Sequence, residues 1–338
     1  MNTTFSLENS RVLVTGGLGF IGSHLVRKLL ASGNEVLILD NDSTGDIKNL
    51  GVDINSHKLK VELGSILDKT LVTSLFDKVD FCFHLAASVG VKKIIENPKE
   101  CVDINVNGSE VVLSAAAENN CPTLIASTSE IYGKVGGESI SEESDRVLGA
   151  TQNIRWVYSE SKALEEMLAF QNRMTHNLPI FIARLFNTVG PGQKSDYGMV
   201  IPNFVKSAII NEPIKVYGDG SQVRAFCHVQ DAIEGILGIA MEEKCEGEIF
   251  NLGSTEEVSI LQLAMLVKKL AKSNSRIEHV PYSDAYSKGF EEIPRRVANI
   301  DKLRNRIEWE PKLSLEEIIH QTIDYWTEIN SVDGSLRQ

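Results

Sequence analysis

Arg11-Val-Leu-Val-Thr-Gly-Gly-Leu-Gly-Phe-Ile-Gly-Ser-His24 joins an apolar run to a glycine turn and then to helical spacing. Arg11 to Thr15 reads as a buried parallel strand, and Ile21, Leu25, Leu29 and Leu30 repeat at helix period. Gly16, Gly19 and Gly22 stand between them at three-residue intervals. In such a strand–turn–helix the first glycine makes the turn, the second leaves backbone bare for a pyrophosphate, and the third lets the helix lie close on the strand. The unpaired N–H groups at the helix start, around Phe20 and Ile21, then face the phosphates. Outward from this stretch, Glu35-Val-Leu-Ile-Leu39 is a second apolar strand ending in Asp40, 18 residues after Gly22. A carboxylate at that place accepts the ribose hydroxyls of an adenosine and disfavours a 2′-phosphate, so the spacing points to NAD rather than NADP.

Asn41 opens a polar loop, and a strand over 59–63 ends at Gly64-Ser65-Ile66; these segments are expected to flank the adenine. A helix over 71–76 leads to a buried strand over 79–87, whose last residues, Leu85, Ala86 and Ala87, allow close approach of the cofactor. A helix over 102–119 contains Asn105, a strand follows over 123–127, a helix over 158–174 and a strand over 179–185. Strands alternating with helices imply right-handed βαβ units and an α/β, doubly wound parallel sheet. Beyond it, Gly190-Pro191-Gly192, Gly218-Asp-Gly220 and Gly247 punctuate shorter elements, with helical spacing over 261–271 and 315–326. The expected division is a dinucleotide-binding domain over 1–185, completed by segments returning from the C-terminal part, and a mainly substrate-binding domain over 186–330. A polar tail over 331–338 is expected to fray.

A chain of 338 residues suits one large or two closely packed domains. Its net charge of −12 argues against a nucleic-acid or anionic-membrane partner, because a phosphate lattice would be repelled over most of the surface. The N-terminal residues lack the basic start and apolar core of a signal peptide, and no run is long enough to span a bilayer, so a cytoplasmic protein is expected. Five cysteines, odd in number and widely spaced, fit free thiols, and neither they nor the seven histidines have metal-binding spacing.

Tyr158 and Lys162 lie four apart, on one face of a helix. A free phenol titrates near ~10, too high for a base at neutral pH, but an adjacent ammonium and a nicotinium ring both favour the phenolate. Thr128 and Glu130 stand at the carboxyl end of the 123–127 strand, where open α/β sheets hold their ligands. There the Thr128 hydroxyl can share the proton moved by Tyr158, and Glu130 supplies an acid/base.

The Gly16/Gly19/Gly22 turn, Asp40, His84-Leu-Ala-Ala87, Asn105, Thr128, Tyr132-Gly133 and Tyr158/Lys162 together resemble the extended short-chain dehydrogenase/reductases that modify nucleotide sugars. Arg184-Leu-Phe-Asn187, Val216-Tyr-Gly-Asp-Gly-Ser-Gln-Val-Arg224, Asn251 and Arg296 extend the resemblance over nearly the whole chain. It implies a Rossmann domain binding NAD, a nucleotide-diphosphate sugar as substrate, a homodimer, and a first step in which Tyr158 deprotonates the sugar 4-hydroxyl. By the same resemblance Asn187 and Arg224 contact the diphosphate, Tyr217 lies against the base, and Asn105 belongs to the cofactor site. The resulting 4-keto sugar is open to epimerisation, dehydration or decarboxylation. Thr128-Ser129-Glu130 resembles both UDP-glucuronate decarboxylases and GDP-mannose dehydratases, whereas a plain epimerase needs no carboxylate beside the threonine. Arg155, three residues before Tyr158, and Arg296 resemble the decarboxylases, and Arg155 can pair with a substrate carboxylate. UDP-glucuronate decarboxylation is therefore narrowly favoured, followed by 4-epimerisation of a UDP-sugar, 4,6-dehydration, and a catalytically silent NAD-binding scaffold. Ala298-Asn299 and Ser65 depart from the Pro-Asp and Asp expected at those places.

Overall fold

β1 (Arg11–Thr15) and β2 (Glu35–Asp40) are apolar on both faces, as strands between two helical layers must be. Val12, Val14, Val36 and Ile38 enter one hydrophobic core, while Leu13, Leu37 and Leu39 enter the core on the opposite side. The computed structural model of the chain describes residues 7–135, 139–195, 199–282, 291 and 293–333. β3 (Leu59–Leu63), β4 (Phe81–His84), β5 (Thr123–Thr128), β6 (Ile180–Leu185) and a strand from the C-terminal half, Ile249–Leu252, complete a seven-stranded sheet. Its order is Ile249–Leu252, β6, β5, β4, β1, β2, β3, and every pairing is parallel. The strand order reverses between β1 and β4, which opens a crevice at their carboxyl ends. This is the doubly wound fold expected from the alternation of strands and helices.

A third core fills the other end of the molecule, where the helices Val200–Ile209, Ile260–Leu270 and Leu315–Asp333 pack together around Phe204, Val216, Leu263 and Ile318. Short strands accompany them. Ile214–Tyr217 pairs with Ile277–Val280, and Val223–Ala225 lies between Glu257–Ser259 and Arg295–Arg296. That last pairing sets Arg296 directly beside Arg224.

Three local expectations change. The strand over 79–87 shortens to Phe81–His84, since the chain leaves the ladder at Leu85 to form the crevice wall. The single helix over 102–119 divides into Pro98–Val102, a π-helical turn Asp103–Gly108 and Ser109–Glu118. A Cβ at Gly108 would lie 2.5 Å from Ile66 Cδ1, so glycine permits the close contact at this wider turn. The C-terminal helix runs on to Asp333, through the start of the expected tail; residues 334–338 lie outside the described residues. Among the described residues no helix is long and apolar enough to cross a membrane.

Candidate active site

One cleft of about 1490 Å³ follows the carboxyl ends of the sheet and continues between it and the C-terminal elements. The glycine turn forms its floor. Gly16 has φ of +73°, and a Cβ there would stand 2.8 Å from the Ala86 amide nitrogen; one at Gly22 would stand 2.1 Å from the Gly16 carbonyl oxygen. Backbone and strand therefore touch as a dinucleotide cradle requires. The helix Phe20–Ala31 starts at Gly19 without a side-chain cap and without an acid in its first turn, and Gly19, Phe20, Ile21 and Gly22 all line the cleft. Its first amides are thus available to an anion.

Asp40 is oriented rather than solvated: its carboxylate accepts from the Leu18 amide at 3.0 Å and the Asp42 amide at 2.9 Å. Burial raises its pKa, and these backbone donors oppose the rise. Asn41, Ser65 and Ile66 line the same end, and Leu85, Ala86 and Ala87 line the wall opposite. Asn105 lies behind that wall, fully buried and off the cleft. It accepts from the Ser88 amide at 2.7 Å and donates to Ser161 Oγ at 3.1 Å, so it braces the wall to the Tyr158 helix instead of forming the surface. The bare glycine cradle, uncapped helix start and anchored Asp40 fit an adenine dinucleotide.

Tyr158 stands in the first turn of the helix Val157–His176, facing the cleft beside Thr128 at the end of β5. Burial raises the phenol pKa above its ordinary value, the charges of Glu130 and Glu165 raise it further, and a hydrogen bond with Thr128 opposes them. Lys162 is only 2% exposed and does not reach the cleft surface; its ammonium forms a buried ion pair with Glu165.

Glu130 carries the densest charge contact in the cleft. Arg155 donates to its Oε2 at 2.5 Å, and Arg296 donates to its Oε1. Burial alone would raise the Glu130 carboxyl; Arg296 and Arg155 outweigh it and hold the pKa down at about 2. Arg155 reaches the site because Asn153 accepts from its amide at 3.1 Å and starts the short turn Ile154–Trp156. Arg296 also donates to Asn187 Oδ1 at 2.8 Å, while the Asn187 amide donates to the Ala225 carbonyl at 2.8 Å. Asn187 is therefore tied into the arginine cluster; Arg224 and Tyr217 line the neighbouring part of the cleft.

Sequence reasoning missed a buried clamp next to the site. Arg184 Nε and Nη2 hold both oxygens of Glu166 at 2.9 and 2.7 Å, and Ser127 donates to the same carboxylate at 2.5 Å. Arg184 also donates to the Tyr132 hydroxyl at 2.7 Å, which donates to Asn251 at 2.7 Å, tying β5 and β6 to the strand Ile249–Leu252. Glu165 and Glu166 were hidden because an acidic pair on a helix ordinarily reads as a solvated face. Lys194 and Lys206, two cations of the C-terminal half that line the cleft, carry no motif of their own.

A doubly wound sheet with this phosphate cradle, a tyrosine–lysine helix and an arginine-lined second half defines a short-chain dehydrogenase/reductase of the extended, sugar-nucleotide type. The chain belongs to the GDP-mannose 4,6 dehydratase family, whose profile matches residues 13–322. It is 41% identical over 322 residues to a UDP-N-acetyl-alpha-D-glucosaminuronate decarboxylase from Bacillus cytotoxicus, covering 95% of this chain and 99% of that one. UDP-glucuronic acid decarboxylase 1 of Danio rerio is 32% identical, with 95% of this chain and 73% of the relative covered. Among solved structures, a UDP-glucuronic acid 4-epimerase from Bacillus cereus, in complex with UDP-glucuronic acid and NAD, superposes with a TM-score of 0.85 at 26% identity, covering 94% of this chain and 99% of that one. The family resemblance read from the motifs is thereby confirmed.

Proposed function

We propose that this protein is an NAD-dependent decarboxylase of a UDP-linked uronate, with UDP-glucuronate as the preferred substrate and its 2-acetamido counterpart, named in the Bacillus cytotoxicus relative, as the nearest variant. The observation that carries this reading is the convergence of Arg155 and Arg296 on one carboxylate, Glu130, beside Tyr158 and Thr128. A site that holds its own carboxylate between two guanidiniums is prepared to recognise another. The similarity to decarboxylases supports the same choice.

Gly16, Gly19, Gly22 and Asp40 would hold NAD⁺, which when bound accepts a hydride from the sugar C4 and later returns it. Tyr158 takes the proton from the 4-hydroxyl, with Thr128 sharing it through their hydrogen bond. The C6 carboxylate is then β to a ketone. Its C5–C6 bond breaks, CO2 leaves, and the electron pair passes into the C4 carbonyl, where the Tyr158 and Thr128 hydroxyls face the developing oxyanion. A uronate carboxylate that engages Arg155 draws charge away from Glu130, and burial then raises the Glu130 pKa toward the range of a proton donor. Glu130, having taken up a proton from solvent as its pKa rises, delivers it to C5, and Tyr158 restores one to the oxygen at C4 as the ketone is reduced. No net redox change occurs.

Asn187, Arg224 and Tyr217 are read as the diphosphate and base contacts. The five cysteines are free and buried, which supports a reducing, cytoplasmic setting. Leu164, Met167 and Met174 lie exposed at helical spacing on the helix Val157–His176, at 45%, 58% and 83%, and support a homodimer through this face. Light scattering should return twice the mass of one chain, and a monomer at working concentration would contradict it. The catalytic reading is tested by incubating the protein with UDP-glucuronate, its 2-acetamido counterpart and UDP-glucose. Proton NMR should show a second hydrogen at C5 in the uronate products only; an inverted C4 signal with carbon count unchanged would indicate epimerisation.

A further inference from the structure

Behind Tyr158, on the side away from the cleft, lies a closed polar chain that the reaction above does not use. The Ala86 amide donates to Thr15 Oγ1 at 3.2 Å, and Thr15 Oγ1 lies 2.7 Å from His84 Nδ1. The ring is thereby held at Nδ1 by the Thr15 hydroxyl. His84 Nε2 in turn lies 2.9 Å from Ser109 Oγ and 3.5 Å from Glu165 Oε1, and Ser109 also faces the Glu165 carboxylate. From the other side the Lys162 ammonium meets the same carboxylate.

His84 is kept neutral by burial and by Lys162, with its pKa lowered to about 3. Glu166, next on the helix, adds a like charge but is held by Arg184 and Ser127. On the cleft side Glu130, paired with Arg155 and Arg296, also raises the Tyr158 pKa, and Cys101, Ser161 and Asn105 add no charge around Lys162. Glu165 is thus the counter-ion of Lys162, buried at 1% exposure.

We infer that Glu165 is a positioning residue that anchors Lys162 and offsets part of its charge, and so sets the pH above which Tyr158 works as the base. The reasoning is electrostatic. An ammonium four residues from a phenol favours the phenolate, and a carboxylate touching that ammonium cancels part of the effect in a medium where charges are weakly screened. Burial raises the Glu165 carboxyl, and Lys162 and Ser109 pull it back. Burial outweighs them, so the carboxyl lies above its ordinary value, while contact with the Lys162 ammonium favours the ionised form. The Glu165 charge accordingly raises the Tyr158 pKa.

This inference rests on the Tyr158 base assigned under Proposed function, and its test separates the two. In the NAD⁺-saturated protein, the Cζ resonance of carbon-labelled Tyr158, identified by its loss in Tyr158→Phe, is titrated without substrate. Glu165→Gln should move this titration down by about one pH unit, which corresponds to about tenfold more phenolate at a given pH below the midpoint. The acid limb of kcat/KM should move with it, and Glu165→Asp, which keeps the charge, should restore both toward the parent. Where Glu165→Gln does not fold, Glu165→Ser removes the charge and is read by the same titration. An unshifted Tyr158 titration in a folded charge-removing variant overturns the inference. A shifted titration with no turnover on any uronate leaves it standing and removes the decarboxylase reading instead.

Discussion

Glu130 shows how far a single residue can differ from its sequence-level role. Read from the chain, it is an acid/base beside a threonine; placed between Arg155 and Arg296, it is an ionised anchor with a pKa of about 2. It can donate a proton only after those guanidiniums find another anion. Arg155→Ala should therefore lower kcat/KM for the uronate about 100-fold, the size expected for losing a charged hydrogen bond of ~3 kcal/mol. Binding of UDP itself should stay within about twofold, because the cleft contacts assigned to the diphosphate and base lie elsewhere. Calorimetry with UDP and steady-state rates with the uronate check the two halves, and an equal loss in both would mean that Arg155 merely supports the fold. Glu130 was legible as a candidate because it follows Thr128. Its partners were not, since they lie 25 and 166 residues away and only the third dimension joins them.

At the scale of elements, the glycine turn was the most legible part of the chain, because close backbone contact leaves a residue-type signature. Gly22 has no room for a methyl group: a Cβ would lie 2.1 Å from the Gly16 carbonyl oxygen and 2.8 Å from Gly17 Cα. Both neighbours are backbone and neither can rotate away. Gly22→Ala should destabilise the protein by ~2 kcal/mol or more and weaken NAD binding, measured by urea unfolding and by fluorescence titration. An unchanged unfolding midpoint and unchanged affinity would contradict the cradle. The break in the 102–119 helix was not legible. A π-helical turn keeps helical periodicity almost intact in the sequence, yet it sets where Asn105 and Ser109 point, toward Ser88 and His84. The same holds for the edges of strands, where Phe81–His84 ends early because the wall of the cleft needs residues free of the ladder.

Across the whole molecule, the alternation of strands and helices announced the parallel sheet, and the change of texture after residue 190 announced the third core. What composition concealed is how many polar groups the sheet buries between its layers. The Arg184–Glu166 clamp and the His84 chain are both closed to water, and both lie across several strands. One consequence concerns stability. Burial holds His84 at about 3 and His24 at about 4, below the ordinary value of 6.5. In the unfolded chain these rings take up protons below about 6.5 while the folded protein does not, so the stability they contribute is present above that pH and is lost as pH falls toward the folded values. The slope attributable to His84 approaches ~1.4 kcal/mol per pH unit. Urea unfolding between pH 7 and pH 5, values chosen on either side of the ordinary histidine range of about 6.5, should show this decline, with a shallower slope in His84→Asn. A flat profile would mean that His84 is protonated in the fold.

The account depends most on the fate of one carbon. UDP-glucuronate labelled at C6 should release its label as CO2 when incubated with the protein and NAD⁺, leaving an unlabelled pentose nucleotide, and release should fall about 100-fold in Arg155→Ala. Full retention of the label in a product changed only at C4 would contradict decarboxylation and leave the two arginines as handles for an epimerase substrate.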